Sequence, residues 1–84
     1  MEILKISSKT PSGGAAGSLL KELDKAKEAE LHAIGAGAVN QAVNAVAIAA
    51  QEINLTCVPA FGETEIEGRK TVTIVLTVRK APKK

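Results

Sequence analysis

Hydrophobic and polar residues alternate most regularly near the end of the chain. In residues 71–79, Val72, Ile74, Leu76 and Val78 alternate with mainly polar side chains, which predicts a β-strand covered on one face. Residues 2–8 alternate in the same way and predict another strand.

Two shorter apolar runs, residues 29–35 and 53–60, predict two further strands. The first has the apolar residues Leu31, Ala33 and Ile34 and is expected at the centre of a sheet. The second contains Pro59, which has no backbone N–H and therefore favours an edge strand. Residues 62–68, between this strand and the last one, are expected to form a turn or an arm.

Residues 12–26 predict an amphipathic helix with Ser12 as its N-cap. Its apolar stripe follows the spacing i, i+3, i+4 and i+7, at Ala16, Leu19, Leu20 and Leu23.

A second helix, in residues 35–51, is different because it has no charged residue after its Gly-Ala-Gly start. A helix so apolar is expected to be buried on nearly all sides. A chain of 84 residues has few layers with which to bury it, so a second copy of the chain is expected to cover part of it.

The order of these elements predicts an α+β fold: a two-layer β-α-β-α-β-β arrangement with two helices on one face of a four-stranded mixed sheet. No linker or repeat divides the chain, so residues 1–84 are expected to form a single domain, with a basic tail at 80–84. A strand, a helix and a second strand in about 35 residues are typical of a parallel crossover.

Charge and composition narrow the function. The net charge of +2 is too small to indicate nucleic-acid binding by itself. No acid–base pair, nucleophile dyad or cluster of metal ligands occurs at usable spacing, so we expect neither an enzyme nor a cofactor nor a metal site. The single cysteine, Cys57, is expected in the core. No apolar span is long enough for a bilayer, so the protein is expected in the cytoplasm without a membrane partner.

Three segments resemble one known family. The run IGAGAVNQAVNAVAIA at residues 34–49, the opening MEILKIS and the segment CVPAF at 57–61 are similar to the stage V sporulation protein S family of bacteria. The resemblance implies an Alba-like fold, a dimer or tetramer, and a nucleic-acid-binding or regulatory role connected with sporulation. The chain departs from the family pattern where Asn44 replaces a lysine and where Ala50 and Gln51 replace an Arg-Gly pair.

Candidate nucleic-acid contacts, with DNA or RNA, follow from charge, glycine content and the resemblance. Glycines before a helix let a phosphate approach free N–H groups, although a simple cap and flexible loop explain them as well. Arg69 and Lys70 could reach a nucleic-acid groove, although Glu63, Glu65 and Glu67 would repel phosphate and the segment could be only a solvated turn. The candidates are Lys5, Lys9, Gly13, Gly14, Arg69, Lys70 and Lys80.

The charge-free helix supplies the candidate oligomer interface: Val39, Asn40, Val43, Asn44 and Val46. Because two basic residues of the family pattern are missing from this helix, an alternative function stays open. In that alternative the protein is a structural or regulatory oligomer that binds another protein and no nucleic acid. For Gln41, a contact with phosphate or base edges and a contact across a subunit interface both stay open. A dinucleotide site at Gly35 and Gly37 is not expected, since the third glycine of that fingerprint is absent.

Overall fold

A computed structural model describes residues 2–82 of the chain and has the predicted order of strands and helices. The elements are β1 (Glu2–Ile6), α1 (Ser12–Lys25), β2 (Glu28–Ala33), α2 (Ala36–Ala49), β3 (Leu55–Ile66) and β4 (Arg69–Lys80).

The four strands form one mixed sheet in the order β1-β2-β4-β3. Strand β1 is parallel to β2, as the crossover pattern indicated, whereas β4 is antiparallel to both β2 and β3. The predicted central position of β2 and edge position of β3 are therefore confirmed. The α+β class with two helices and a four-stranded mixed sheet is also confirmed.

Both helices cover the same face of the sheet, and the core lies between the two layers. The largest fully buried side chains are Leu19, Leu23, Leu31 and Val78, from α1, β2 and β4. Burial of each such side chain contributes about 1.5–3 kcal/mol. Burial alternates along β2, so that Ala29, Leu31 and Ala33 face the helices. The prediction that this strand includes Ile34 is wrong: β2 ends at Ala33 and Ile34 is exposed.

Within one chain, helix α2 is buried on one side only, so the expected burial on nearly all sides would require a second copy of the chain. Its other side is open to solvent, and Val43 there is 50% exposed. The buried residues recur at helical spacing and are mostly alanine, which lets the helix axis lie close to the sheet: Ala38, Ala42, Ala45, Val46 and Ala49.

Strands β3 and β4 are each 12 residues long and extend past the rest of the sheet. Pairing with β2 stops at Ile74, which lies opposite Ala33. Residues 62–73 therefore project as a two-stranded hairpin. Together with the pair of Phe61 and Ile74 at its base, this hairpin is here called the arm. About five residues in each strand at about 3.3 Å per residue make the arm roughly 17 Å long. It gives the molecule its elongated dimensions of 44 × 21 × 19 Å.

The prediction of a turn or arm over residues 62–68 is wrong in its boundaries. Strand β3 continues to Ile66, which pairs with Arg69, so the turn contains only Glu67 and Gly68. Both have positive φ, 49° for Glu67 and 77° for Gly68, as a type I′ hairpin turn requires. The glycine at position 62 had suggested the start of a loop. It lies inside β3, paired with Thr73, and only glycine fits there because a Cβ would come within 2.8 Å of Thr73 Oγ1 and Val75 Cγ2.

Two boundaries at the ends of elements also differ from expectation. Ser12 is the first residue of α1 and not its N-cap, because Pro11, with an extended backbone at φ −64° and ψ 125°, precedes the helix. Lys80 is the last residue of β4, so it belongs to the sheet and not to a basic tail. The remaining tail lysines, Lys83 and Lys84, lie outside the described residues.

Candidate nucleic-acid interface

One end of the sheet gathers the loops that precede both helices. Because β1 and β2 are parallel, both strands finish at this end, and α1 and α2 both begin there. We call it the loop end: residues 7–11, residues 34–35 and the first turns of the two helices. The arm projects from the same end, since Ile74 pairs with the last residue of β2.

Neither helix N-terminus at the loop end is capped by a side chain. The N-cap residues are Pro11 and Gly35, which have no side-chain acceptor, and neither first turn contains an acidic residue. Each N-terminus therefore keeps free N–H groups and a partial positive charge of about +0.5. No aspartate or glutamate occurs in residues 3–20 or 33–51. The loop end is consequently electropositive without a large number of lysines.

Residues 7–11 form a turn that holds itself together. The Ser7 N–H donates to Thr10 Oγ1 at 2.8 Å, the Thr10 N–H donates to the Ser7 carbonyl at 3.1 Å, and the Lys9 N–H donates to Ser7 Oγ at 3.2 Å. Lys9 is exposed at the top of this turn. Since its N–H is already bonded, Lys9 would meet a ligand through its ammonium group.

Lys5 and Gly14 line one open groove beside the loop, between β1 and the start of α1. Gly13 lies next to Gly14 in the exposed first turn of the helix. Among the described residues, no atom lies within 4 Å of the position that a Cβ on either glycine would take. Packing within the chain therefore does not explain why these two positions are glycine. The structure thus brings four of the predicted residues, Lys5, Lys9, Gly13 and Gly14, to one end of the molecule.

The other predicted basic residues lie elsewhere. Arg69 and Lys70 are exposed at the tip of the arm, where Lys70 lies opposite Glu65 and Arg69 follows the Glu67–Gly68 turn. Lys80 is at the opposite end of the sheet, where β4 finishes. There it lines an open groove with Lys25, Lys27 and the ion pair of Arg79 with Glu28. Lys80 therefore does not share a surface with the loop end.

The predicted interface residues on α2 divide between its two sides. Asn40, Val43 and Asn44 are exposed on the outer side. Val39 is half-buried and packs against the core, and Val46 belongs to the core.

A family comparison adds to this geometry. The profile of the stage V sporulation protein S family matches residues 2–81. The chain belongs to this family. The match spans both helices and all four strands, including the arm. Membership of the stage V sporulation protein S family supports a sporulation-related regulatory role.

The three positions at which this chain departs from the sequence pattern of the family are all on the surface. Asn44, Ala50 and Gln51 are exposed. Asn44 lies on the outer side of α2, and Ala50 and Gln51 follow its C-terminal end, away from the loop end. The missing basic residues would therefore not have belonged to the surface around Lys9.

Two apolar residues on the arm were missed by the interpretation of the sequence. Phe61 is 83% exposed and Val72 is 62% exposed, and together they line an open depression with Gly62 and Glu63. Phe61 pairs with Ile74, so both arm residues are on the helix-covered side of the sheet, beyond the point that the helices reach. A signal existed in the sequence: β3 is apolar at consecutive positions, from Cys57 to Phe61, although Pro59 marks it as an edge strand.

Cys57 and His32 are the remaining side chains that could take part in chemistry. The prediction that Cys57 lies in the core is wrong, because it is on the uncovered part of β3 and is exposed. Partial burial nevertheless raises the pKa of its thiol, which disfavours the thiolate. His32 is half-buried, and its Nε2 lies 2.8 Å from Glu30 Oε1. In residues 2–82 no three potential ligands lie close enough to hold a metal ion.

Neither of the two helices described is long and apolar enough to cross a membrane.

Proposed function

We propose that this protein is a small, homo-oligomeric, non-catalytic regulator that binds nucleic acid through its loop end. DNA or RNA phosphates would meet the ammonium groups of Lys5 and Lys9 and the free N–H groups of the first turn of α1. Binding of this kind depends on backbone phosphates and carries little sequence readout.

The observation that carries this proposal is the electrostatic character of the loop end. Two uncapped helix N-termini lie beside the turn that carries Lys9, Lys5 is on the adjoining strand β1, and no acidic residue occurs in the segments that form this end. Helix N-termini are ready-made sites for anions because their N–H groups and dipoles both favour negative charge. The arm contributes less, since Glu63, Glu65 and Glu67 lie beside its two basic residues.

Titration of labelled DNA and RNA at two salt concentrations tests the proposal. We expect measurable affinity at low salt and a linear fall of log K with log[salt], with a slope of about −0.7 to −0.9 for each phosphate contact. Fluorescence anisotropy gives both the affinity and the slope. The absence of binding to either nucleic acid at low salt would contradict the proposal.

The glycines of α1 give a second test, in which stability and binding should change in opposite directions. Glycine in a helix costs about 0.5–1 kcal/mol relative to alanine, and neither Gly13 nor Gly14 has a neighbour that excludes a Cβ. We expect the double substitution of Gly13→Ala and Gly14→Ala to raise the free energy of unfolding and to weaken nucleic-acid binding, because two methyl groups would hold the phosphate away from the N–H groups.

Gly17→Ala is the matched control. Gly17 is in the same helix and also has no neighbour within 4 Å of the position that a Cβ would take, but it lies beyond the first turn. It should stabilise the helix and leave binding unchanged. Chemical denaturation and anisotropy measure the two quantities. Unchanged affinity in the double variant would mean that phosphate does not approach this turn.

An open apolar surface supports the oligomeric part of the proposal. It consists of Val43 and Ile48, which lie on either side of the exposed polar residues Asn40 and Asn44 on α2, and of the uncovered arm residues Phe61 and Val72. Exposed apolar patches of this kind are typical of interaction sites. Another copy of the chain would cover both parts at once, in a dimer or a tetramer, because both are on the helix-covered side of the sheet.

A second candidate function is a regulatory oligomer that binds a protein and no nucleic acid. The observation that favours it is the arm, where Phe61 and Val72 lie next to the carboxylate of Glu63. A protein partner with apolar and basic side chains would complement this surface. Reversal of the charge at Lys9, assayed in cells, separates the two candidates.

A further inference from the structure

The first half of α2 contacts the loop that carries Lys9. Gln41 Nε2 donates a hydrogen bond to the Thr10 carbonyl at 2.8 Å, between residues 31 positions apart in the chain. Four residues earlier, Gly37 lies against the same loop. A Cβ at position 37 would come within 2.9 Å of the Ser8 Cβ, so only glycine lets the helix approach this closely. Because residues four apart share one side of a helix, both contacts are made by the same side of α2.

The contacts within the loop do not fix its place on the molecule. The bonds among Ser7, Lys9 and Thr10 give residues 7–11 a shape, but all of them are internal to the turn. The hydrogen bond from Gln41 and the close packing at Gly37 join that turn to α2. Helix α2 is in turn held by its alanine face against the sheet.

We propose that Gln41 and Gly37 are positioning residues, which hold the 7–11 turn against α2 so that Lys9 and the start of α1 face the same phosphate backbone. This inference rests on the proposed function in so far as the turn is a phosphate contact. It also assigns Gln41 a role within the chain. From the sequence alone, Gln41 could equally have contacted phosphate or another subunit. The charge-free helix then acts on nucleic acid indirectly, through the turn it supports.

The variant Gln41→Met tests the proposal because it keeps the length of the side chain and removes the donor. We expect the backbone amide order parameters of Ser8 and Lys9, measured by ¹⁵N relaxation, to fall from about 0.85 toward 0.6. Nucleic-acid affinity at low salt should fall about threefold to tenfold. The salt slope should become shallower by as much as about 0.9, as expected when one phosphate contact is lost. A general loss of stability would not change that slope.

Gln51→Met is the control, because it makes the same chemical change at an exposed position beyond the other end of α2. It should alter neither the order parameters nor the slope. Gln41→Lys, which restores a donor, should restore the order parameters in the turn. Gly37→Ala tests the second contact between α2 and the turn. It should shift the amide resonances of Ser7, Ser8 and Lys9, and it provides a test even if Gln41→Met does not fold.

Each result decides a different part of the proposal. Unchanged order parameters in Gln41→Met, together with unchanged resonances in Gly37→Ala, would show that α2 does not hold the turn. A loosened turn with unchanged affinity and slope would show that its position does not matter for binding. If the natural protein binds no nucleic acid, the proposed function fails, and the NMR comparison alone decides whether Gln41 and Gly37 position the turn.

Discussion

Val46→Asp is expected to unfold the protein, whereas Val43→Asp is expected to leave the chain folded and to separate its subunits. The two valines are three residues apart and are neighbours on α2, but Val46 points into the core and Val43 lies at its open edge. Val46 is 9% exposed and belongs to the core, while Val43 is 50% exposed. An unpaired carboxylate in a core costs several kcal/mol, which is comparable with the total stability of about 5–15 kcal/mol for a small domain. At Val43 the carboxylate remains hydrated in the single chain and is buried only if a second copy covers α2.

Circular dichroism melting and light scattering after gel filtration measure the two effects separately. Val43→Thr, which has nearly the same shape without a charge, is the control and should keep the mass of the natural protein. If Val43→Asp melts cooperatively and also keeps that mass, the outer side of α2 is not the contact between subunits. The Asp variants therefore test the oligomer independently of nucleic acid.

Reversal of the charge at Lys9 is expected to weaken nucleic-acid binding by tenfold or more, while the same reversal at Lys80 should change it by less than threefold. Either substitution to Glu changes the net charge from +2 to 0, so the long-range effect on a polyanion is the same. The difference between the two variants is location. Lys9 is beside two helix N-termini, whereas Lys80 is at the other end of the sheet beside Arg79. A lost charge-assisted contact with phosphate is worth about 1.5–3 kcal/mol, which is more than tenfold in affinity.

Anisotropy titrations at one fixed, low salt concentration compare the two variants. Equal losses at both positions would mean that net charge and not the loop end attracts the nucleic acid. A sporulation assay in cells then separates the two candidate functions. A Lys9→Glu variant that folds normally and supports sporulation fully would favour the regulator that binds only protein.

The order of the elements was predictable because each has a strong local signal. The period of two in residues 71–79 and the period near 3.6 in α1 follow from burial on one face, and burial on one face is what a two-layer fold imposes. Pro59 correctly indicated the edge strand for a local reason, the lack of a donor. The parallel pairing of β1 and β2 followed from the helix between them.

The features that were predicted incorrectly depend on contacts between distant residues. Gly62 was predicted in the turn or arm, but it lies inside β3, where Thr73 and Val75 of the neighbouring strand leave no room for a Cβ. Ile34 has the composition of a core residue, yet the strand ends before it. Cys57 is apolar enough for a core, but no helix reaches over that part of β3.

The candidate site was predictable in its residue types but not in its grouping. Charge and glycine content indicated Lys5, Lys9, Gly13 and Gly14, and the parallel strands bring these residues to one end. Lys80 has the same charge, but the direction of β4 carries it to the opposite end. The hydrogen bond of Gln41 with Thr10 joins residues 31 positions apart, and no local sequence pattern predicts such a bond.

The place of β4 in the sheet has a consequence for the synthesis of the protein on the ribosome. This strand is made after the other five elements described, yet it lies between β2 and β3, and its Arg79 pairs with Glu28, 51 residues earlier. While β4 is still inside the ribosome, β2 has an open edge and the core lacks Leu76 and Val78. Pairing over such a separation is also the slowest kind to form. The core is therefore complete only once β4 has left the ribosome, and a nascent chain stalled before residue 74 would expose its alanine-rich helix to chaperones and proteases.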